Sequence, residues 1–255
     1  MTRFDRNFNG LAERFARKVY GGLKGDIRLA VIWRDLQQAL PVIQDGKPLR
    51  VIDIGGGMGQ ISQRLAGLGH SVLVNDISEE MLALGRQQVA GKSFSGTIDW
   101  QCGPYQALDK SLHSQYDLVL CHALLEWLAE PQLLIAALKN FMKPGGTLSL
   151  TFYNQHSLVY RNLIRGNFKL LDAGFRHDDG SLTPKQPLLP GTVTGWLNEA
   201  GLQLVASSGI RVFHDYVITR SGGHQDGQAV IAKELAYSTQ EPFKWLGRYI
   251  HFVAK

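Results

Sequence analysis

The 255-residue sequence contains only two cysteines, Cys102 and Cys121, and no long apolar run. Two cysteines are too few for a disulfide framework or a cysteine-rich metal cluster. No apolar run approaches the roughly 18 residues that a membrane-spanning helix requires. The opening stretch MTRFDRNFNG is charged where a secretory signal is apolar. These absences favour a reduced, cytoplasmic protein with no metal and no membrane partner.

Charge is unevenly distributed along the chain, although the net charge is only +5. Residues 51–150 contain 6 Lys and Arg against 9 Asp and Glu, a local charge of −3. The segments on either side contain 21 Lys and Arg against 13 Asp and Glu, a local charge of +8. Basic flanks around an acidic centre indicate a polyanionic partner at the rim of the molecule. A solvated basic surface explains the charge nearly as well.

Short β-branched runs alternate with helical patterns through the middle of the chain. This alternation is typical of an α/β protein with a doubly wound, parallel sheet. Helices are predicted at 60–68, at 79–90 after the N-cap Ser78, at 192–201, and from 130 up to a stop at Pro144 and Gly145. The predicted strands are LRVIDI, HSVLVND, TIDWQC, YDLVLCH and TLSLTFYN, followed by a final edge pair, IRVFHDYV and LGRYIHFVAK.

Two segments lie outside the predicted sheet. Residues 1–45 contain two helical patterns, the second being DIRLAVIWRDLQQAL, and are predicted to form an N-terminal helical cap. Residues 46–255 are predicted to form the main domain, with an insertion around 155–190. The insertion begins with a helical pattern and continues as a loop rich in Gly, Pro and Asp.

The stretch VIDIGGGMGQ, residues 51–60, places a glycine-rich turn directly after the first strand. The dinucleotide fingerprint G-x-G-x-x-G requires a third glycine where the helix packs on the strand. In either possible frame that position is occupied by Gln60 or Ser62. The pattern present is instead D-x-G-x-G-x-G, formed by Asp53, Gly55, Gly57 and Gly59.

An acid at the end of the second strand complements this turn. Asp76 lies where a carboxylate accepts hydrogen bonds from both ribose hydroxyls of a bound nucleoside. Asp53 attracts cationic groups, so the turn suits a positively charged nucleoside such as S-adenosylmethionine better than a pyrophosphate. The alternative is a tight strand–helix turn with a capping acid.

The motifs VIDIGGGMGQ, VNDIS, HALLEW and KPGGTLSLTFYN resemble the class I S-adenosylmethionine-dependent methyltransferases. That resemblance implies a seven-stranded, Rossmann-like sheet and S-adenosyl-L-methionine as the cofactor. The segments DRNFNGLAERFARKVYGGLKGDIR, GNF, GIRVFHDY and QEPFKWLGRYIH are more specific, and resemble the tRNA 5-carboxymethoxyuridine methyltransferases. That family methylates the side-chain carboxylate of 5-carboxymethoxyuridine at the tRNA wobble position, giving the methyl ester. The resemblance covers nearly the whole chain.

The same resemblance implies which residues hold the cofactor. Arg28 can pair with the methionine carboxylate, the alternative being a solvated helix arginine. His122 either contacts the cofactor or is a core histidine. Gln106 stands where the family carries an acid, which leaves adenine recognition to its amide or to backbone groups. The full predicted cofactor set is Arg28, Asp53, Gly55, Gly56, Gly57, Asp76, Pro104, Tyr105 and His122.

Residues at the later strand ends are candidates for holding the acceptor. A carboxylate with a pKa near 4 is already ionised at neutral pH, so its methylation needs placement rather than a general base. We therefore predict no catalytic residue, and expect some of these strand-end side chains to be structural. The predicted substrate-binding residues are Tyr153, Asn154, Arg161, Arg211, His214 and Arg248.

The predicted partner is the tRNA anticodon stem-loop, contacted through a basic rim. Arg161, Arg165 and Lys169 recur at helical spacing and are predicted to form one basic face; Arg14, Arg17, Lys18 and Lys24 are the other candidates. Two other functions remain open. One is a methyltransferase acting on a small carboxylic acid or phenol; the other is a non-catalytic binder of an adenosyl ligand, or a redox domain that uses a dinucleotide.

Overall fold

The computed structural model describes residues 9–12, 21–174, 184 and 186–255. One seven-stranded sheet is formed there, in the order β3-β2-β1-β4-β5-β7-β6. The first five strands are parallel, and β7 is antiparallel to both β5 and β6. The predicted seven-stranded α/β sheet is confirmed. Its strands are β1 (Arg50–Ile54), β2 (Ser71–Asp76), β3 (Thr97–Cys102), β4 (Tyr116–His122), β5 (Met142–Tyr153), β6 (Leu204–Ile210) and β7 (Tyr249–Ala254).

Helices cover both faces of this sheet, as a doubly wound fold requires. On one face, α4 and α7 share a core with the sheet; on the other, α1, α2, α3, α5 and α8 do. The helices are α1 (Gly22–Ala39), α2 (Gln60–Gly67), α3 (Glu79–Val89), α4 (Pro131–Phe141), α5 (Gln155–Ile164), α6 (Phe168–Asp172), α7 (Pro190–Glu199) and α8 (Gly227–Tyr237). Across the described part of the chain, no helix is long and apolar enough to cross a bilayer.

The central strand β4 shows how sequence specifies this layering. Leu118 and Leu120 pack into the core that includes α1, whereas Val119 and Cys121 pack into the core that includes α4. A strand buried on both faces has a continuous apolar run rather than an alternating one. This explains why YDLVLCH could be recognised as a strand from sequence.

The prediction of a strand at IRVFHDYV is wrong. β6 lies earlier, at LVASSGI, and the chain leaves the sheet at Arg211, whose φ is +60°. The next three backbone N–H groups, at 212–214, donate to the carboxylate of Glu234 on α8 over 2.7, 3.2 and 2.8 Å. These donors cannot join a β-ladder, so His214–Tyr216 forms a 3-10 turn instead.

The helix that was predicted to stop at Pro144 and Gly145 ends two residues earlier than expected, because the KPGG segment belongs to β5. Between the pairs Tyr116–Met142 and Leu118–Thr147, this segment forms a bulge opposite β4. Pro144 cannot continue a helix, and Gly145 has a φ of +75°. The helix therefore ends at Phe141.

The segments outside the sheet agree in part with the prediction. α1 confirms the second N-terminal helical pattern and packs against β6, β7 and α8; most of the first pattern, with Arg14, Arg17 and Lys18, lies outside the described residues. The helical start of the insertion is confirmed, but the turn at 165–167 separates α5 from α6. Arg161, Arg165 and Lys169 therefore do not share one continuous helix face. The division into a cap and a main domain stays a prediction.

Candidate active site at the C-terminal edge of the sheet

The glycine turn after β1 forms the floor of the candidate site. Gly55, Gly57 and Gly59 have φ values of +68°, +55° and +66°, which side-chain-bearing residues rarely adopt. The N–H of Gly57 donates to Oδ2 of Asp76 over 2.9 Å. The three alternate glycines are thus required by the backbone, as the D-x-G-x-G-x-G pattern predicted.

Asp53 lies directly beneath the turn, at the end of β1. A Cβ on Gly56 would approach its carboxyl carbon to 2.6 Å, so that position requires glycine for a steric reason. Oδ2 of Asp53 accepts a hydrogen bond from Ser62 Oγ over 2.6 Å, whereas Oδ1 is buried without a partner among the described residues. Burial, with the neighbouring Asp76 charge, raises the pKa of Asp53 to about 6. An under-satisfied buried carboxyl of this kind favours a cationic ligand group.

Asp76 ends β2 and lines the larger of two cavities at this edge, of about 770 Å³. Its Oδ1 accepts from the N–H of Ser78 over 2.8 Å, and its Oδ2 accepts from Gly57. Burial raises the pKa of Asp76, and backbone hydrogen bonds lower it in part. Each carboxylate oxygen has a second lone pair, so Asp76 retains the capacity to accept ribose hydroxyls.

Apolar side chains form the walls of the larger cavity, and sequence analysis missed them. They follow the ends of β2 and β4, at the same edge as the acids. Pro104, Tyr105 and Gln106 also line it, so the stretch CGPYQ is placed where adenine recognition was expected. The missed residues are Ile77, Met81, Leu124, Trp127 and Leu128. Their position shortly after strand ends was the signal available: Ile77, Leu124 and Trp127 lie within VNDIS and HALLEW, and Met81 and Leu128 follow these motifs.

A smaller cavity of about 330 Å³ adjoins the turn and is lined by Arg28, Asp53 and His122. Arg28 is only 2% exposed, so the alternative of a solvated helix arginine is wrong. Its guanidinium carbon lies 4.1 Å from the ring centroid of Tyr249. Burial lowers the pKa of His122 well below its ordinary value, so the ring is neutral at physiological pH. A guanidinium opposite a carboxyl matches the two charges of an amino-acid tail.

A second group of residues lies beside the ends of β5 and β6, the start of β7 and helix α5. We call Tyr153, Arg161, Arg211 and Arg248 the arginine cluster. The guanidinium of Arg248 lies 4.6 Å from the ring centroid of Tyr153. Tyr249 connects the cluster to the smaller cavity, because Arg28 lies over its ring at 4.1 Å and Arg211 at 5.5 Å.

The arginine cluster contains more cationic groups than its one carboxylate can balance. Asp215 lies 3.2 Å from Nε of Arg211 and 3.8 Å from Nε of Arg248. These cations lower the pKa of Asp215 to about 2 despite its burial. Three buried donors still lack an acceptor among the described residues, namely Tyr153 Oη, Arg161 Nε and Arg248 Nη1. Such an arrangement favours an anion.

The structure does not bring Asn154 and His214 into these groups. The Asn154 carboxamide donates to the carbonyls of Trp245 and Gly247 over 2.7 and 2.8 Å, and its oxygen caps α5. Its side chain is therefore accounted for by protein contacts. His214 lies in the 3-10 turn after β6 and lines neither cavity. Burial lowers its pKa.

Comparisons with known proteins agree with this geometry. Residues 52–150 match the family model described as a methyltransferase domain. The chain is 39% identical over 252 residues to the tRNA 5-carboxymethoxyuridine methyltransferase of Escherichia coli (strain K12), covering 98% of this chain and 96% of that protein. Its similarity thus extends through the N-terminal helix and the arginine cluster.

Two further matches are more distant. The ubiquinone biosynthesis O-methyltransferase of Xanthomonas campestris pv. campestris (strain B100) is 29% identical over 164 residues, or 63% of this chain and 65% of that protein. The magnesium protoporphyrin IX methyltransferase of Synechocystis PCC 6803, solved with bound SAH, is 18% identical. It superposes with a TM-score of 0.64 over 97% of this chain and 95% of that chain. This likeness supports the shared fold.

Proposed function

Since this chain belongs to the family of tRNA 5-carboxymethoxyuridine methyltransferases, we propose that it methylates the carboxylate of 5-carboxymethoxyuridine at the wobble position of tRNA. The methyl donor is S-adenosylmethionine and the product is the methyl ester. The observation that carries this assignment is the arginine cluster beside the cofactor cavities, whose buried donors lack an acceptor. A carboxylate would accept hydrogen bonds from these donors and balance their positive charge.

The residues of both cavities fit S-adenosylmethionine, which supplies an electrophilic methyl group on a sulfonium. Asp76 is proposed to accept the ribose hydroxyls, and the apolar walls with Tyr105 to enclose the adenine. Arg28 is proposed to pair with the tail carboxylate, opposite Asp53. Gly55, Gly56 and Gly57 permit close approach of the backbone, because side chains there would fill the space.

The acceptor needs no general base, because its carboxylate is ionised at neutral pH. We propose that Arg248, Arg161 and Tyr153 hold that carboxylate by hydrogen bonds at one oxygen, leaving the other free to attack the methyl carbon. Arg211 contributes charge while it is paired with Asp215. Burial raises the pKa of Tyr153 to about 12, so its hydroxyl remains a donor. Positioning accounts for most of the acceleration in this arrangement.

The surface beside the arginine cluster suits single-stranded RNA. On α5 and α6, the aromatic rings of Tyr160 and Phe168 are 43% and 58% exposed. The exposed cations Arg165 and Lys169 follow them closely in the chain. Exposed aromatic rings next to cations can stack with unpaired bases and contact phosphates, which is how anticodon loops are recognised. We propose that this surface receives the anticodon stem-loop in the cytoplasm.

Transfer of a labelled methyl group tests the proposal. The protein and methyl-labelled cofactor would be incubated with tRNA that contains 5-carboxymethoxyuridine, with tRNA lacking that modification, and with small carboxylic acids and phenols. We expect label only in the first reaction, in a nucleoside whose label is released by mild alkali, as an ester requires. Label in unmodified tRNA or in the small acceptors contradicts the proposal.

A further inference from the structure

A chain of buried polar side chains connects helix α1 to the cofactor site. We call Asp35, His251, Ser149 and His122 the polar chain. Oδ2 of Asp35 lies 2.8 Å from Nδ1 of His251. Nε2 of His251 lies 2.8 Å from Ser149 Oγ, which lies 2.9 Å from Nε2 of His122. Four elements, α1, β7, β5 and β4, therefore contribute to one continuous network.

The polar chain crosses an otherwise apolar core. Asp35, Ser149 and His251 are each at most 2% exposed, on the face where α1 packs against the sheet. Burying polar groups costs free energy unless every one is hydrogen-bonded. Packing of α1 does not require such a network, because apolar side chains of similar volume would fill the space. The network ends at His122, which lines both cavities.

The charge at the far end of the polar chain sets the direction of its hydrogen bonds. Nε and Nη2 of Arg34 both contact Oδ1 of Asp35, over 2.9 and 2.6 Å. The pKa of Asp35 is lowered by its bonds to His251 and Arg34 despite its burial, so its carboxylate can only accept and Nδ1 of His251 carries the shared proton. In that Nδ1–H tautomer, Nε2 of His251 accepts from the Ser149 hydroxyl. Ser149 must then accept from the Nε2–H of His122.

We infer that Asp35, His251 and Ser149 are positioning residues that hold His122 in its Nε2–H tautomer, leaving Nδ1 to accept a hydrogen bond from the ammonium group of the cofactor. Nδ1 has no hydrogen-bond partner among the described residues. In the opposite tautomer, an N–H group would face the ammonium and oppose it. Arg28 and Asp53, on the same small cavity, match the remaining charges of the tail. The inference rests on the proposed cofactor and not on the proposed acceptor.

Binding measurements without tRNA test this inference. S-adenosylhomocysteine carries the amino-acid tail, and 5′-methylthioadenosine lacks it. We expect Ser149→Ala to weaken binding of S-adenosylhomocysteine by about tenfold or more. Without Ser149, Nδ1 of His122 is no longer held as the acceptor for the ammonium group of the ligand. Binding of 5′-methylthioadenosine should change by less than about twofold.

Thr151→Val is the matched control. Thr151 lies two residues from Ser149 on β5, is fully buried and pairs in the ladder with both His122 and His251. Its hydroxyl has no partner among the described residues. This variant should leave both affinities unchanged. Nitrogen-15 chemical shifts of His122 should show a protonated Nε2 in the wild-type protein, and a mixture of tautomers in Ser149→Ala.

Three results would overturn the inference. Equal losses of affinity for both ligands in Ser149→Ala would indicate a general disturbance of the site. Unchanged affinity for S-adenosylhomocysteine would show that the tautomer is irrelevant to binding, and a protonated Nδ1 in the wild type would reverse the direction of the chain. Failure of the wild type to bind either ligand would instead refute the proposed cofactor, which separates the two claims.

Discussion

The two halves of the C-terminal edge of the sheet carry opposite charges. At the ends of β1 and β2, Asp53 and Asp76 lie under the glycine turn, and no cation among the described residues is in hydrogen-bond contact with them. Beside the ends of β5 and β6 and the start of β7, the arginine cluster surrounds the carboxylate of Asp215. The difference matches the charges of the two ligands, a cationic methyl donor and an anionic acceptor.

The pKa values of two buried acids express the same contrast. Burial, together with the neighbouring charge of Asp76, raises the pKa of Asp53 to about 6. Asp215 is also buried, yet its pKa falls to about 2 because Arg211, Arg248 and Lys24 surround it. One half of the edge therefore has unbalanced negative charge, and the other has unbalanced positive charge. We expect the cationic methyl donor to balance the first half and the anionic acceptor to balance the second.

Removing a cation from the basic half should give the largest effect. We expect Arg248→Ala to lower kcat/KM for tRNA by about 100-fold or more, because the buried acceptor carboxylate would lose a charged partner. Cofactor affinity should stay within about twofold. Single-turnover transfer and calorimetry measure the two quantities.

Lys143→Ala is the control for that variant, since Lys143 pairs with Asp117 at the opposite edge of the sheet. It should leave transfer unchanged. If Arg248→Ala weakened cofactor binding as much as transfer, the two halves of the edge would not be functionally separate.

Removing an acid from the other half should act on the cofactor alone. We expect Asp76→Ala to weaken S-adenosylmethionine binding by about 1.5–3 kcal/mol, or about 10- to 150-fold, through loss of charge-assisted hydrogen bonds to the ribose. Asp99→Ala removes the same charge from an exposed position on the neighbouring β3 and should have little effect. Calorimetry that finds equal affinity in Asp76→Ala and the wild type would refute this assignment.

Raising the salt concentration should weaken tRNA binding but not cofactor binding, with a smaller difference than the two substitutions produce. Contacts with about three phosphates would weaken tRNA binding roughly 20-fold when salt is raised from about 50 to 200 mM. Cofactor binding should change little over the same range, because buried side chains, which salt screens weakly, are proposed to balance the charges of the cofactor. If tRNA affinity were equally insensitive, the exposed cations Arg165 and Lys169 would be a solvated surface only.

The smallest of the expected effects is a loss of cofactor affinity at acidic pH. The pKa of Asp53 is raised to about 6, so its carboxyl is largely ionised at pH 7 and protonated below pH 6. The cationic cofactor favours the ionised form, and we expect about a threefold loss of affinity between about pH 6.5 and 5.5.

Asp53→Asn should remove that part of the pH dependence. Glu126, whose pKa burial raises to about 7, also titrates near Arg28 and remains in the variant. An unaltered pH profile in Asp53→Asn would assign the whole dependence to Glu126 and contradict the role given to Asp53.

Features of the site that lie within one short segment were predictable from sequence. Features that depend on contacts between distant segments were not. The glycine turn and Asp76 are set by a strand, a turn and a strand end within 26 residues of the chain. Burial of Arg28 was not predictable, because one arginine on an amphipathic helix resembles a solvated one until α1 is packed on β6 and β7.

The basic half and the polar chain depend on contacts between distant segments. β6 was misplaced because its Ser and Gly residues are not typical of a strand. RVFHDY has the composition of a strand, but three of its backbone N–H groups donate to Glu234 instead of to a neighbouring strand. Asp35 and His251 meet across 216 positions of the chain. No local pattern in the sequence indicates such a pair.

The claim that the arginine cluster holds the acceptor carboxylate is tested most directly by removing charge from both partners. Affinity would be measured for an anticodon stem-loop containing 5-carboxymethoxyuridine and for its neutral amide analogue, with S-adenosylhomocysteine present. The account predicts that the wild type prefers the carboxylate by about tenfold or more, and that Arg248→Ala binds both equally. Equal binding by the wild type, or an undiminished preference in Arg248→Ala, would contradict it.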